Sequence, residues 1–247
     1  MIGIILAAGN GTRLKTSRNN NACKPLTEIN NTPLIMYSLE NLRKMKIDQA
    51  WIVVGKEGEL IKQAIGNTYK DLSLCYIPQF EQKGLIHALM CALTALEADA
   101  PVVLQLSDEI FVNIQTENIL RSIHSGNYDF LCGITLEEDP EKIKSNYSVE
   151  LDRNNIIMHC TEKPVVVTNN IKGTGFCYFS TVAVQFLKLR YNSESNQPRD
   201  LCDYMNMLIQ ENQKGLALQI AEKEFNINTS ADFIEAQQAL AFMSQTE

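Results

Sequence analysis

Gly9, Gly11, Arg13 and Lys24 are the residues whose types and spacing most directly suggest chemistry. They stand in Leu6-Ala7-Ala8-Gly9-Asn10-Gly11-Thr12-Arg13-Leu14 and, eleven residues beyond Arg13, Lys24-Pro25-Leu26. Glycine tolerates backbone conformations that turn N–H groups toward an anion and has no Cβ to block close approach. A guanidinium fork and an ammonium beside such amides add fixed positive charge. The expectation is a loop that cradles phosphate. It is neither of two better-known glycine loops. The dinucleotide fingerprint needs a third glycine opening a helix, where this chain has Thr12-Arg13-Leu14, and the P-loop needs Gly-Lys-Ser/Thr.

Leu6 to Leu14 with Lys24-Pro25 resembles the signature of the sugar-phosphate nucleotidyltransferase family, Leu-Ala-x-Gly-x-Gly-Thr-Arg-Leu followed by Lys-Pro or Lys-Gln. Such enzymes join a nucleoside triphosphate to a phosphomonoester with release of pyrophosphate. The resemblance implies that Leu6, Ala7, Ala8, Gly9, Gly11 and Thr12 line the triphosphate, and that Arg13 and Lys24 neutralise it. Both reactants are anions, so the chemical problem is charge neutralisation and in-line positioning more than proton transfer.

An acid is then needed for a metal. Val102–Leu106 reads as a buried strand whose carboxyl end delivers Ser107-Asp108-Glu109-Ile110-Phe111. Mg²⁺ prefers oxygen ligands and commonly takes one or two carboxylates. The family often has Gly-Asp-Asn-Ile-Phe here, which makes Asp108 the expected Mg²⁺ ligand. The resemblance puts a second ligand at Asn226, where the family usually has Asp; an amide oxygen still binds a hard cation but brings no charge.

Gln79, Gly84, Leu85 and Ala88 keep the spacing of the Gln…Gly-Leu-x-x-Ala segment of glucose-1-phosphate thymidylyltransferases, in which the Gln side chain and the glycine backbone read a pyrimidine. Glu162-Lys163-Pro164 resembles the family's Glu-Lys-Pro, which implies Lys163 on the acceptor phosphate and Glu162 on a sugar hydroxyl. Gly173-Thr174-Gly175-Phe176 resembles the sugar-site strand, with Gly175 at the acceptor, and Arg199 is expected as a further phosphate ligand. Asn226, Ser148 in place of a glycine after Tyr147, and Glu109 in place of Asn depart from the family pattern. They leave the reaction class standing and bear on the acceptor.

The elements that must position these residues follow from periodicity. Strands are expected at Ile2–Ala7, Ala50–Gly55, Leu72–Ile77, Val102–Leu106 and Phe130–Leu136, alternating with helical spacings after Thr32-Pro33, an N-cap and first-turn pair, and after Thr116-Glu117. This predicts an α/β fold with a doubly wound, mostly parallel sheet, ligands lying at the carboxyl ends of its strands. Beyond Leu136 the rhythm changes. Tyr147–Leu151 and Ile156–Cys160 suggest a β-hairpin in an acceptor subregion, with strands at Gly175–Phe179 and Leu216–Ala221 and helices at Val182–Leu189, Leu201–Glu211 and Asp232 to about Met243.

The chain has 247 residues, enough for a single domain over 1–247, its nucleotide half 1–136 and its acceptor half 137–247. A formal charge of −7 with scattered Lys and Arg argues against nucleic acid or an anionic membrane as partner. No segment has membrane-spanning length, and the apolar start lacks a basic leader. Seven cysteines with no Cys-x-x-Cys point to a reducing, cytoplasmic setting. His87, His124 and His159 lack ligand-like spacing, so each reads as a surface or core residue. Homo-oligomer formation is left open.

The expected activity joins a nucleoside triphosphate, dTTP or UTP, to a sugar 1-phosphate. Two alternatives stay open: a cytidylyltransferase acting on phosphocholine or another phosphorylated alcohol, and a nucleotide-binding regulatory module with weak catalysis, which Asn226 favours. A nucleotide-sugar glycosyltransferase is disfavoured, because the third residue of Asp108-Glu109-Ile110 is apolar where those enzymes commonly use Asp-x-Asp.

Overall fold

The computed structural model describes residues 1–9, 23–192 and 197–243. In chain order the first half runs β1 (Ile2–Ala7), a 3-10 turn at Lys24–Leu26, β2 (Glu28–Ile29), β3 (Thr32–Pro33), α1 (Leu34–Lys44), β4 (Gln49–Val54), α2 (Gly58–Ile65), β5 (Thr68–Tyr69), β6 (Leu72–Pro78), α3 (Leu85–Ala95), β7 (Val102–Leu106), β8 (Glu109–Val112), α4 (Thr116–His124) and β9 (Phe130–Leu136). The second half adds α5 (Pro140–Lys144), β10 (Tyr147–Leu151), β11 (Ile157–Glu162), β12 (Ile171–Phe179), α6 (Thr181–Tyr191), α7 (Leu201–Gln210), β13 (Gly215–Gln219), β14 (Lys223–Asn226) and α8 (Ser230–Met243).

Alternation along β1 explains the layering. Ile4 and Leu6 join one core with Ile86, Leu89 and Leu93 of α3, whereas Ile5 and Ala7 join the opposite core with Ile35, Leu39 and Leu42 of α1. A strand buried on both faces needs apolar residues at consecutive positions, which is why β1 reads as a continuous run. β7, β1, β4 and β6 lie parallel in that order. β12 then enters antiparallel to β7 and also pairs with β9 and β10. One ten-stranded sheet among the described residues therefore runs through both halves, parallel from β7 through β1 and β4 to β6, with β5 antiparallel at its edge and mixed pairing beyond β7.

Most expected strands lie where periodicity puts them, but Thr32-Pro33 does not open a helix as an N-cap pair. It forms β3 against β2, and Asn30 and Asn31 turn the hairpin with φ of 51° and 61°. Asparagine tolerates that left-handed pair of conformations, the geometry of a two-residue hairpin loop. Pro33 is left at the N-cap of α1 without a side-chain bond. The strand expected at Gly175–Phe179 begins four residues earlier, at Ile171. The ribbon of β8 against β14 is too short to show as a period, and it matters most for the site below.

Glu40 ties α1 to the β5–β6 turn. Arg43 Nη2 donates to its Oε1 at 2.7 Å and Arg43 Nε to its Oε2 at 3.0 Å, with Lys70 Nζ and Tyr69 Oη also on Oε2. Arg43 first, helped by Lys70 and Tyr69 against the cost of burial, holds the carboxyl down at about 2 from an ordinary 4.5. A depressed folded value means stability present above about 4.5 and lost as pH falls toward 2. Solvent screens this cluster, so Glu40→Gln should cost about 1 kcal/mol at pH 7, and the deficit should close on acidification. Denaturant midpoints of both proteins across the acid range measure it; a deficit that grows on acidification contradicts the assignment.

Candidate active site

β1 and β7 are paired neighbours, and their carboxyl ends meet where Ser107 N–H donates to Leu6 O at 3.2 Å. Leu6, Ala7 and Ala8 are buried there and Gly9 is exposed with open space around it. Gly11, Thr12 and Arg13 lie outside the described residues. Ala8 O accepts from Gln82 Nε2 at 3.0 Å, and a Cβ on Gly55 would come within 3.0 Å of that same oxygen. Gly55 thus lets the end of β4 close against the glycine loop.

Lys24, the first residue of the 3-10 turn, buries its side chain to 11% exposure and places Nζ 2.5 Å from Asp108 Oδ2 and 3.0 Å from Asn228 Oδ1. Asp108 sits in the turn between β7 and β8. The antiparallel register of β8 with β14 sets Asn226 opposite Glu109, and Ile227 N–H donates to Asp108 O at 2.9 Å. Side chains alternate in extended backbone, so Ile227 is buried while Asn226 and Asn228 share the other face. Asn228 Nδ2 donates to Asn226 Oδ1 at 2.7 Å, and Asn226 Nδ2 to Asn146 Oδ1 at 3.1 Å. Asn228 was not anticipated, although the Asn-Ile-Asn alternation carried its signal.

The donors here suit a hard cation. Asp108 Oδ1 accepts no hydrogen bond among the described residues, and Asn226 Oδ1 accepts one, leaving a lone pair. One carboxylate and one amide oxygen match the all-oxygen preference of Mg²⁺.

Gln79 is buried just beyond β6, its backbone N–H bonded to Val54 O at 2.8 Å. Its Nε2 lies 3.2 Å from Gly84 O and 2.8 Å from His87 Nδ1. Gly84 has φ of 95° at the N-cap of α3, a conformation open to glycine and strained for other residues. Leu85 and Ala88 pack on the first turn of that helix. His87, expected as a bland surface or core residue, instead faces the side chain expected to read the base.

In the second half, Lys163 adopts φ of 44° and donates its N–H to Asn146 O at 2.8 Å, while Nζ lies 3.4 Å from Glu162 Oε1 and stays largely exposed. Asn146 therefore touches both the Glu162-Lys163 segment and Asn226. Gly175 is buried, and a Cβ there would fall 2.3 Å from Leu106 Cγ. Its N–H donates to both Glu109 oxygens, at 2.9 and 2.8 Å. Burial first, then the Glu224 and Asp108 carboxylates, push Glu109 well above the usual carboxylate range. Arg199 is paired with Asp203, Nε to Oδ2 at 2.7 Å, which holds its exposed guanidinium at the start of α7.

Beside Asn226 and Asn228 lies a cavity of about 190 Å³ lined also by Asn146, Lys142, Lys172 and Glu224. Lys172 and Glu224 form a buried ion pair, their side chains 4% and 1% exposed. A buried pair is weak evidence for stability, but removing one partner strands the other charge. Lys172→Met should therefore destabilise the fold by about 3–5 kcal/mol, and the double variant Lys172→Met with Glu224→Leu should recover most of that loss. Urea denaturation of the three proteins decides the point; a double variant as unstable as the single one argues against an uncompensated charge.

The Nucleotidyl transferase family model matches residues 2–241. UTP--glucose-1-phosphate uridylyltransferase AglF of Haloferax volcanii is 27% identical over 241 residues, 97% of this chain and 96% of that protein. A glucose-1-phosphate thymidylyltransferase of Streptomyces antibioticus is 30% identical over 187 residues, 74% of this chain but 50% of that protein. The chain thus spans nearly the whole Haloferax protein and about half of the Streptomyces one. A UDP-glucose pyrophosphorylase solved with UDP-glucose superposes with a TM-score of 0.80 at 19% identity over 98% of both chains, and the inositol-1-phosphate CTP transferase of T. maritima with 0.74 at 15% identity over 97% and 94%. At those identities the likeness is one of fold, the doubly wound, mostly parallel α/β sheet expected above. A family match running from β1 to α8 makes this chain a member of the nucleotidyl transferase family.

Proposed function

We propose that this chain transfers the nucleotidyl group of UTP or dTTP to a sugar 1-phosphate, releasing pyrophosphate. The observation that carries the reading is Lys24, whose ammonium lies between Asp108 and Asn228 at the carboxyl ends of β1 and β7. The uridylyltransferase and thymidylyltransferase names of its relatives support the choice of substrates. We propose one catalytic unit, with 1–136 holding the nucleotide and 137–247 the acceptor. Among the described residues no helix is long and apolar enough to cross a membrane, and seven free thiols, most of them buried, suit a cytoplasmic setting.

In the proposed reaction an acceptor phosphate oxygen attacks the α-phosphorus, forming one P–O bond as the α–β anhydride bond breaks. The glycine loop and Arg13 hold the triphosphate, and Lys24 neutralises charge where the two phosphates close on each other. Asp108 and Asn226 would hold Mg²⁺, which when bound neutralises phosphate oxygens. Lys163 and Arg199 are proposed phosphate contacts on the acceptor side, with Glu162 and Gly175 beside the sugar.

The direct test is a pyrophosphate-release screen crossing UTP, dTTP, CTP and ATP with sugar 1-phosphates and phosphocholine. Release with UTP or dTTP and a sugar 1-phosphate is expected. Release confined to CTP and phosphocholine would establish the cytidylyltransferase instead, and nucleotide binding without release the regulatory module.

Asn226→Asp gives a second expectation. A carboxylate adds attraction for Mg²⁺, but Asn146 Oδ1, which now accepts from Asn226 Nδ2, must turn away. The net gain should be about 1 kcal/mol, seen as a lower Mg²⁺ concentration for half-maximal rate. Initial rates against free Mg²⁺ measure it, and an unchanged dependence removes Asn226 from the metal.

A further inference from the structure

We infer that His87 determines which pyrimidine this chain accepts, by fixing the amide of Gln79 so that only an acceptor faces the base. The inference rests on the proposed reading of Gln79 as a base contact and extends it to a residue that the Gln…Gly-Leu-x-x-Ala pattern leaves free.

The argument is one of hydrogen-bond inventory. A backbone carbonyl can only accept, so the Gln79 atom 3.2 Å from Gly84 O is the amide nitrogen. That nitrogen carries two hydrogens. The second points to His87 Nδ1 at 2.8 Å, which must then be the bare ring nitrogen, its proton on Nε2 toward Cys91 Sγ at 4.0 Å. Both amide hydrogens are thereby used. Gln79 Oε1 accepts nothing from the described residues, so its lone pairs stay unused.

An amide whose donors are both spent offers a base only lone pairs. Uracil and thymine carry a hydrogen on N3 and can donate to Oε1. Cytosine carries a lone pair on N3, which in the same pose would meet Oε1 acceptor to acceptor, and its N4 amine reaches Oε1 only if the base shifts. A mismatched polar group in an enclosed site is rejected far more strongly than one missing methyl group, because neither partner regains the bonds it had in water. His87 is thus a positioning residue. Gly84 O alone holds one hydrogen and leaves the amide free to present the other; the imidazole removes that freedom. This favours UTP or dTTP over CTP as the nucleotide, on grounds independent of the relatives' names.

The test compares the intact protein with His87→Leu, which offers no acceptor, and His87→Asn, whose amide oxygen can replace Nδ1. Calorimetric binding of UDP and CDP reads base preference without an acceptor substrate, and kcat/KM for UTP and CTP reads it in turnover where a sugar 1-phosphate is used. The intact protein should prefer the uracil nucleotide by at least about 100-fold. His87→Leu should narrow that ratio by about ten-fold, through weaker UDP and tighter CDP binding, and His87→Asn should restore most of it. A residue that only packs α3 would lower both affinities together and leave the ratio unchanged, which would overturn the inference; so would an intact protein that prefers CDP or binds neither. Clear UDP preference that collapses in His87→Leu, without pyrophosphate release from any sugar 1-phosphate, would uphold the role of His87 and refute the proposed activity.

Discussion

Lys24 and Asp108, 2.5 Å apart at the mouth of two parallel strands, are the contact around which the rest of this molecule is arranged. A cleft that brings two polyanions together needs positive charge in place beforehand, because charges gathered only when substrate arrives would cost reorganisation. Lys24 is short of water and would be unstable there without a counter-ion. Asp108 supplies one, and Asn228 and Asn226 complete the hydrogen bonding. The ion pair and the amide ladder form one polar layer, and the β8–β14 ribbon carries it on an apolar cluster that includes Ile110, Val112 and Phe225.

That layer continues inward as buried charge. Glu109 bonds the Gly175 N–H with both oxygens, and Lys172 pairs with Glu224 one register position from Phe225 and two from Asn226. Charges so deep are rarely retained for stability alone. Here they couple β12 to β8 and β14, which pair with each other but belong to a separate two-stranded sheet. The strand carrying Gly175 thereby holds a set position against the turn carrying Asp108. Tyr147 adds a further constraint, its Oη donating to Thr174 O at 2.6 Å while its ring packs where a side chain on Gly173 would be.

The corner proposed to read the base works on a smaller scale by the same rule. Gln79, Gly84 and His87 lie within nine residues of one another, yet their relation depends on Gly84 taking a positive φ and starting α3. That turn brings the third helical residue back against the strand end it has just left. Its result is a polar side chain whose donors are exhausted and whose acceptor is not.

Much of this could be read along the chain. The strand bounds Ile2–Ala7, Val102–Leu106 and Phe130–Leu136 follow from largely apolar runs, because a strand buried on both faces leaves few polar positions to blur its ends, while Tyr147–Leu151 follows from the turn-rich residues after it. The roles proposed for the glycine loop, Lys24 and Asp108 come from residue types, because phosphate and cation chemistry demands particular side chains next to particular strand ends. Chain order could not show who meets whom across the sheet. Asn226 comes to lie opposite Glu109, beside Asp108 in sequence, only because a four-residue strand pairs with another of equal length, and neither is long enough to carry a period. His87 looked inert because a histidine's role is set by the atom facing its bare nitrogen. Residue types and local periods are properties of the chain itself, and they determined the layers and the kind of chemistry. Which donors are already spent, and which charges are already paired, depends on contacts between distant segments, and only the folded structure decided that.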